Sequence, residues 1–349
     1  MDREKFLNAL LFVQRGISKR EVVAQSSSIV FHDGVIYTYN DEIGIQYPLR
    51  EKEFENINGA VNATELTNLI KKMTVDNITV ESSCHSLRLK AGRIKAEFVL
   101  EEEVKLPYEE MLYTGEWKKF PKDFTKAINF VLPACSTDMA KPLLTCAHVN
   151  AKKGRLEASD GYRVATYKLE DEWPFGSVLI PHYSVKYTAP FQDDFTRVGV
   201  SENWIHFRTK YGAVFSCRIF GTEDIFPNIS NLITLKKGIT VVCSKHAVAA
   251  VERADVFSSS VKDKISIPEI TIEITDDRMW VTGKSPTGRY TENVPIETKE
   301  KCDRIKFQVN PMMFKALISQ YPKCKIGDSF ILFSGENWTY TVALQIDGE

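Results

Sequence analysis

Phe6-Leu-Asn-Ala9-Leu-Leu-Phe12-Val13, with Ser18 five residues on, recurs 118 residues later as Phe124-Thr-Lys-Ala127-Ile-Asn-Phe130-Val131, again with a serine, Ser136, five residues on. A more diverged copy, Ala247-Val-Ala-Ala250-Val251-Glu-Arg-Ala254 followed by Ser258-Ser259-Ser260, lies a further 123 residues along. In the first copy Phe6, Ala9, Leu10 and Val13 fall at i, i+3, i+4 and i+7, the spacing of a half-buried helix. A second series runs in parallel. Val61-Asn-Ala-Thr-Glu-Leu66, Ile180-Pro-His-Tyr-Ser-Val185 and Val309-Asn-Pro-Met-Met-Phe314 each open a short helical pattern, spaced 119 and 129 residues apart. A period this long and regular points to a threefold tandem repeat. The expected domains are 1–115, 116–237 and 238–349, with junctions near Thr114-Gly-Glu-Trp117 and Leu235-Lys-Lys-Gly238.

Each third reads helix, strands, helix, strands. Ser28 to Phe31 and Val35 to Tyr39 flank His32-Asp33-Gly34, a hairpin turn with glycine where a positive φ is needed. Arg155 to Ser159 and Tyr162 to Tyr167 flank Asp160-Gly161, and Trp204 to Phe207 faces Ala213 to Ser216. The expected class is α+β, with antiparallel sheets on one side and two helices per domain on the other.

Of the 349 residues, 43% are hydrophobic and 26% charged, an ordinary soluble composition. The seven cysteines form no CxxC pair, and no apolar run approaches 18 residues. Met1-Asp-Arg-Glu-Lys reads as a helix start rather than a signal peptide, so reduced thiols and a cytoplasmic location are expected. The acidic run Glu101-Glu102-Glu103 reads as a solvated edge. The net charge is −1, from 45 basic and 46 acidic residues, which alone does not mark a nucleic-acid binder. Cations nevertheless recur on the repeated helices and the loops after them, among them Lys5, Lys19, Arg20, Lys71, Lys122, Lys141, Lys245 and Lys315. If those helices face one axis, the charges line it, and such a surface attracts phosphates without reading bases.

Motifs for chemistry are missing. There is no GxSxG, no GxxxxGK[ST] and no GxGxxG, and the six histidines show neither HExxH nor HxH spacing. No cofactor and no metal are expected. A hydrolase with residues dispersed along the chain is the enzyme reading left open, but repeat architectures more often present a surface.

Arg155-Leu-Glu-Ala-Ser159-Asp160-Gly161-Tyr162-Arg163-Val164-Ala165 resembles the "TDGHRLA" segment of the bacterial-type β sliding clamps, the DNA polymerase III β subunits. Gly221-Thr-Glu-Asp-Ile-Phe226-Pro227-Asn-Ile229 is similar to a second signature of that family, at the spacing the family shows. The resemblance implies a non-catalytic DNA clamp of three clamp domains per chain, closed head to tail as a homodimeric ring. Helices would line the hole and sheets would lie outside. Its partners would be double-stranded DNA, contacted without sequence preference, a replicative DNA polymerase, a clamp loader and other clamp-motif proteins, with no membrane.

Matched residue by residue, the family's partner-peptide pocket falls on Leu144, Ser159, Gly161, Tyr162, Arg163, Val164, Pro227, Leu232, Val342 and Leu344. DNA contacts fall on Lys19, Arg20 and Lys141, and the dimer interface on Phe98 and Leu100 against Val256 and Phe257. The departures gather at the pocket. Tyr162 replaces a histidine, Asn231 an arginine, Pro311 a gating tyrosine and Leu344 a methionine, and the tail Gln345-Ile-Asp-Gly-Glu349 differs from the family's ending. These differences fit a dedicated polymerase with its own motif, as in a phage-type member. The alternative is a clamp-fold module that has lost ring closure and acts as a monomeric binder or decoy.

Overall fold

The repeated apolar spacing is realised as helices with one buried face. In α1 (Arg3–Val13) Phe6, Ala9, Leu10 and Val13 are all buried, and Asp2 caps the helix by accepting the Lys5 N–H at 2.9 Å. The Phe6 ring packs on Phe54 with centroids 5.3 Å apart. Burial of one such phenylalanine contributes about 1.5–3 kcal/mol. The computed structural model describes residues 1–220, 226–258, 268–300 and 304–344. Ser259, Ser260, Cys302, the Gly221 to Ile225 part of the second signature and the tail Gln345 to Glu349 lie outside the described residues.

The first third continues with β1 (Ser28–His32), β2 (Val35–Tyr39), β3 (Ile43–Pro48) and β4 (Gly59–Asn62). After them come α2 (Ala63–Lys72), β5 (Thr79–Ser83), β6 (Ser86–Ala91) and β7 (Ile94–Val99). The middle third holds β8 (Lys118–Lys119), α3 (Phe124–Val131), β9 (Cys146–Asn150), β10 (Arg155–Ser159), β11 (Arg163–Lys168) and β12 (Val178–Pro181). It ends with α4 (His182–Val185), β13 (Phe195–Val200), β14 (Trp204–Thr209) and β15 (Val214–Arg218). The last third holds β16 (Ile239–Cys243), α5 (Lys245–Ser258), β17 (Ile270–Ile274), β18 (Arg278–Ser285), β19 (Gly288–Thr298) and β20 (Ile305–Val309). It closes with α6 (Pro311–Gln320), β21 (Lys323–Ile326), β22 (Phe330–Ser334) and β23 (Trp338–Ala343).

Each third thus carries two α-helices among antiparallel strands, the α+β repeat expected. The hairpin turn at Asp33-Gly34 has both residues at positive φ (48° and 73°), and His32 pairs with Val35 across it. The helices of the second series differ in length for a local reason. Asn62 caps α2 through the Glu65 N–H at 3.0 Å, and Asn310 caps α6 through the Met313 N–H at 3.0 Å. The corresponding position before α4 is Pro181, which offers no side-chain cap, and α4 runs only four residues before a 3-10 stretch, Lys186–Asp194. The short helix expected there is a single turn.

The chain divides into two compact units. One comprises Met1–Asn129, Cys146–Gly154 and Leu169–Ile225, and the other Phe130–Thr145, Arg155–Lys168 and Phe226–Glu349. In the first, eight strands form one sheet in the order β4-β1-β2-β3-β15-β14-β13-β8, and β5-β6-β7 form a separate three-stranded sheet. In the second, strands run in the order β10-β11-β23-β22-β21-β16-β19-β18-β17-β20.

Five of the six described cysteines are buried, and none is in a disulfide. The acidic run is more than a solvated edge. The buried Gln25 donates to Glu101 at 2.7 Å and accepts the Lys105 N–H at 2.7 Å, which ties that segment down. Among the described residues no helix is long and apolar enough to cross a membrane.

Candidate functional site

The β10–β11 hairpin sets one wall of a cavity. Asp160 folds its turn. Its Oδ1 accepts the N–H groups of Tyr162 and Arg163, both at 2.9 Å, and Oδ2 accepts from Arg163 Nε at 2.7 Å. Ser159 Oγ donates to the Arg163 carbonyl at 2.9 Å and accepts the Gly161 N–H at 3.1 Å. Gly161 sits at φ 95°, a conformation that other residues adopt only with strain. Arg163 therefore braces the loop. β11 then pairs with β23, Arg163 opposite Val342, and the ladder continues as Ala343 N–H donates to the Tyr162 carbonyl at 2.7 Å.

The facing wall is built from the end of β20 and the first turn of α6. With the hairpin and the end of β23 it encloses about 670 Å³, lined by Asp160, Tyr162, Arg163, Glu269, Gln308, Val309, Asn310, Met312, Met313, Val342, Ala343 and Leu344. That volume suits a few side chains of an extended peptide. Two large apolar side chains stand open at it, Tyr162 at 59% and Met312 at 71% exposed.

Of the ten residues assigned to a pocket by resemblance, Tyr162, Arg163, Val342 and Leu344 come together here. Ser159 and Gly161 shape the turn behind them, and Val164 is core. Leu232 is exposed, and its carbonyl accepts from Thr341 Oγ on β23 at 2.6 Å. Leu144 and Pro227 do not line this cavity. Pro311 is buried at the start of α6, so the apolar side chains on that wall are Met312 and Met313 instead. Sequence reading missed Glu269, Gln308, Asn310 and both methionines. The local signal was that Met312 and Met313 place two flexible apolar side chains in the first turn of the helix.

The other assigned residues occupy three exposed places. Lys19 and Arg20 are exposed in the loop after α1, and Lys141 is exposed in a turn after α3. None of the three has an ion-pair partner among the described residues. β7 pairs only with β6 within its sheet, so its outer edge is open. Phe98 is half-buried on it, whereas Leu100 lies just past the strand end and is turned inward at 4% exposure. Leu100 crowds Gly59, and the neighbouring Val99, at 75% exposure, presents the apolar surface instead. On α5, Val256 is 68% exposed and the Phe257 ring stacks on Tyr290 with centroids 6.0 Å apart. Arg253 grips Glu292 through two short contacts of 2.8 and 2.7 Å, which ties α5 to β19.

Among the described residues no three His, Cys, Asp or Glu side chains gather in a way that could hold a metal ion. His206 is buried with Nδ1 2.8 Å from Ser216 Oγ and Nε2 3.0 Å from Ser201 Oγ, and burial pushes its pKa down to about 4. It is a neutral polar tie within the sheet rather than an acid or base at a cavity.

This architecture is that of the β sliding clamps. Over 100% of its length the chain is similar to the DNA polymerase III β subunit of Thermotoga maritima, with a TM-score of 0.83, 16% identity and 99% of that chain covered. It is similar to the β chain of Streptococcus pneumoniae with a TM-score of 0.83 and 20% identity, covering 98% of each chain. A Pseudomonas aeruginosa sliding clamp, crystallised bound to griselimycin, gives a TM-score of 0.81 at 17% identity, over 99% of this chain and 98% of that one. No family model and no curated protein matches the chain by sequence.

Proposed function

We propose that this chain is a DNA sliding clamp, a non-catalytic subunit that encircles duplex DNA as a head-to-tail homodimer and tethers a replicative DNA polymerase. The carrying observation is the apolar cavity walled by Tyr162, Met312, Met313 and Leu344 in a chain with the clamp fold. A short extended peptide from the polymerase, the clamp loader or another partner binds there by burying one or two apolar anchors. Ring closure joins the open edge of β7, with Phe98 and Val99, to Val256 and Phe257 of a second copy, and Leu100 supports the strand from beneath. A head-to-tail contact of this kind closes only when the rotation per unit is right, which a threefold repeat favours. Lys19, Arg20 and Lys141 meet phosphates on loops, with weak contacts that let the ring slide.

Light scattering on a size-exclusion column tests closure, and a mass of twice 39.7 kDa supports the ring. Retention on circular DNA after loading, abolished when the circle is cut, tests encirclement. The inward turn of Leu100 favours a second reading, a monomeric clamp-fold binder or decoy with a reduced closing surface. A mass of 39.7 kDa at micromolar concentration would select it.

A further inference from the structure

On the sheet face formed by β20, β17, β18 and β19, Lys284 and Arg289 stand directly opposite each other on adjacent strands. Both are exposed, and neither side chain has an ion-pair or hydrogen-bond partner among the described residues. Like charges in directly opposed positions destabilise a sheet, so the pair stands at a cost to the fold. They line a polar cavity of about 380 Å³ together with Thr271, Thr282 and Lys306. Arg304 lines the same cavity but is already engaged with Glu273 at 2.8 Å. This polar cavity and the apolar one share two wall residues, Glu269 and Gln308.

We propose that this face is the continuation of the partner site, and that it takes an acidic segment flanking the apolar anchors of the bound peptide. The inference rests on the reading of the apolar cavity as a peptide pocket. Gln308 pairs with Thr271 and Thr271 with Thr282, so the path from the pocket rim crosses the sheet in register. Two to three strand spacings and two residues along the strand separate Gln308 from Lys284 and Arg289, roughly 12–16 Å. An extended peptide covers that in about four or five residues. The acidic side chains therefore fall about four or five positions from the anchor that fills the pocket. Glu269 and Glu273 interrupt the positive charge on the face, and the Thr271 hydroxyl can meet a peptide backbone, whereas Thr282 Oγ1 lies 3.2 Å from Thr291 Oγ1. That mixture suits a few spaced carboxylates better than the continuous charge of a nucleic-acid backbone.

The test uses the full chain and fluorescent synthetic peptides. Each carries a Leu-Phe anchor, a Gly-Ser spacer of about four residues and either Glu-Asp-Glu or Gln-Asn-Gln, built in both chain directions. In one direction at least, the acidic peptide should bind about fivefold more tightly than its amide twin at low salt, the scale of two exposed ion pairs. The advantage should vanish at high salt and in the Lys284→Gln/Arg289→Gln protein. That variant should melt no lower than wild type, because it removes an opposed like-charge pair. Equal affinity of the acidic and amide peptides for wild type overturns the acidic-strip inference and leaves the pocket standing. If no peptide binds at all, the pocket reading fails and this one falls with it. Loss of duplex DNA binding in the double variant, with peptide affinities unchanged, would assign the face to phosphates and overturn the proposal.

Discussion

Arg163 Nε lies 2.7 Å from Oδ2 of Asp160, while the other carboxylate oxygen of Asp160 receives the backbone N–H groups of Tyr162 and Arg163. One aspartate thus sets both the turn and the side chain at the pocket wall. Replacing it with alanine removes these bonds at once and takes the carboxylate from a half-buried guanidinium, which keeps only the Tyr340 hydroxyl. Asp160→Ala should lose about 1–3 kcal/mol of stability in urea unfolding. Peptide affinity should fall with it, because Tyr162 no longer has a fixed position, and an unchanged affinity would place the peptide elsewhere.

Leu344 borders the same cavity from the end of β23, with its N–H donating to the Ser329 carbonyl at 2.9 Å. Leu344→Asp keeps that backbone bond and sets a charge against apolar anchors, at a cost of about 1–3 kcal/mol in binding. Calorimetric titration with a C-terminal peptide of the cognate polymerase should show the weakening, while light scattering shows an unchanged mass. Retained affinity argues against the pocket.

Closure is expected to depend on Phe98, Val99, Val256 and Phe257. Truncating Phe98 or Phe257 to alanine should weaken the dimer by about 1–3 kcal/mol, and Val99→Asp should do the same by placing a charge on the open strand edge. Leu100→Ala acts differently, because Leu100 is part of its own core. It should lower the melting temperature of the chain as well as the dimer constant. Sedimentation across a dilution series separates the two effects, and equal dimer constants for wild type and Phe257→Ala would reject the interface.

DNA retention should be electrostatic. Replacing Lys19, Arg20 and Lys141 by glutamine leaves up to three phosphates without a cation, and the salt dependence of DNA binding should become shallower by about 0.9 for each phosphate no longer neutralised. The dimer should be unaffected. A strong preference of the wild-type protein for one duplex sequence would contradict sliding.

His206 gives the fold a pH dependence whose sign follows from its burial. Its folded pKa is depressed to about 4 from a reference of 6.5, so between those values the unfolded chain holds a proton that the folded chain does not. Stability contributed by neutral His206 is present above pH 6.5 and is lost as pH falls towards about 4. The loss amounts to about 3 kcal/mol over the window. Urea unfolding at neutral pH and near pH 4.5 should show a steeper loss for wild type than for His206→Asn, and parallel slopes would mean that the imidazole is reached by water.

The sequence by itself determined the repeat, the helices and several turns, because those are written in near neighbours. The spacing of Phe6, Ala9, Leu10 and Val13 fixes a buried helical face, Asp33-Gly34 fixes a hairpin, and Asn62 and Asn310 mark helix starts. Pro181 is as plain in the sequence as those asparagines, but it offers no side-chain cap, and α4 is a single turn. Of the residues lining the cavity, Tyr162, Arg163, Val342 and Leu344 were all indicated by the family resemblance, while the residues themselves gave only the turn at Asp160-Gly161. The tertiary structure alone decided that Arg163 pairs with Val342, that Gln308 and Met312 face them, that Leu100 turns inward and Val99 outward, and that Lys284 opposes Arg289. Turn and helix chemistry act over a few residues. Strand partners and the walls of a cavity are chosen by packing between segments far apart in the chain; the alternation along a strand fixes which face is buried but not which distant segment lies beside it.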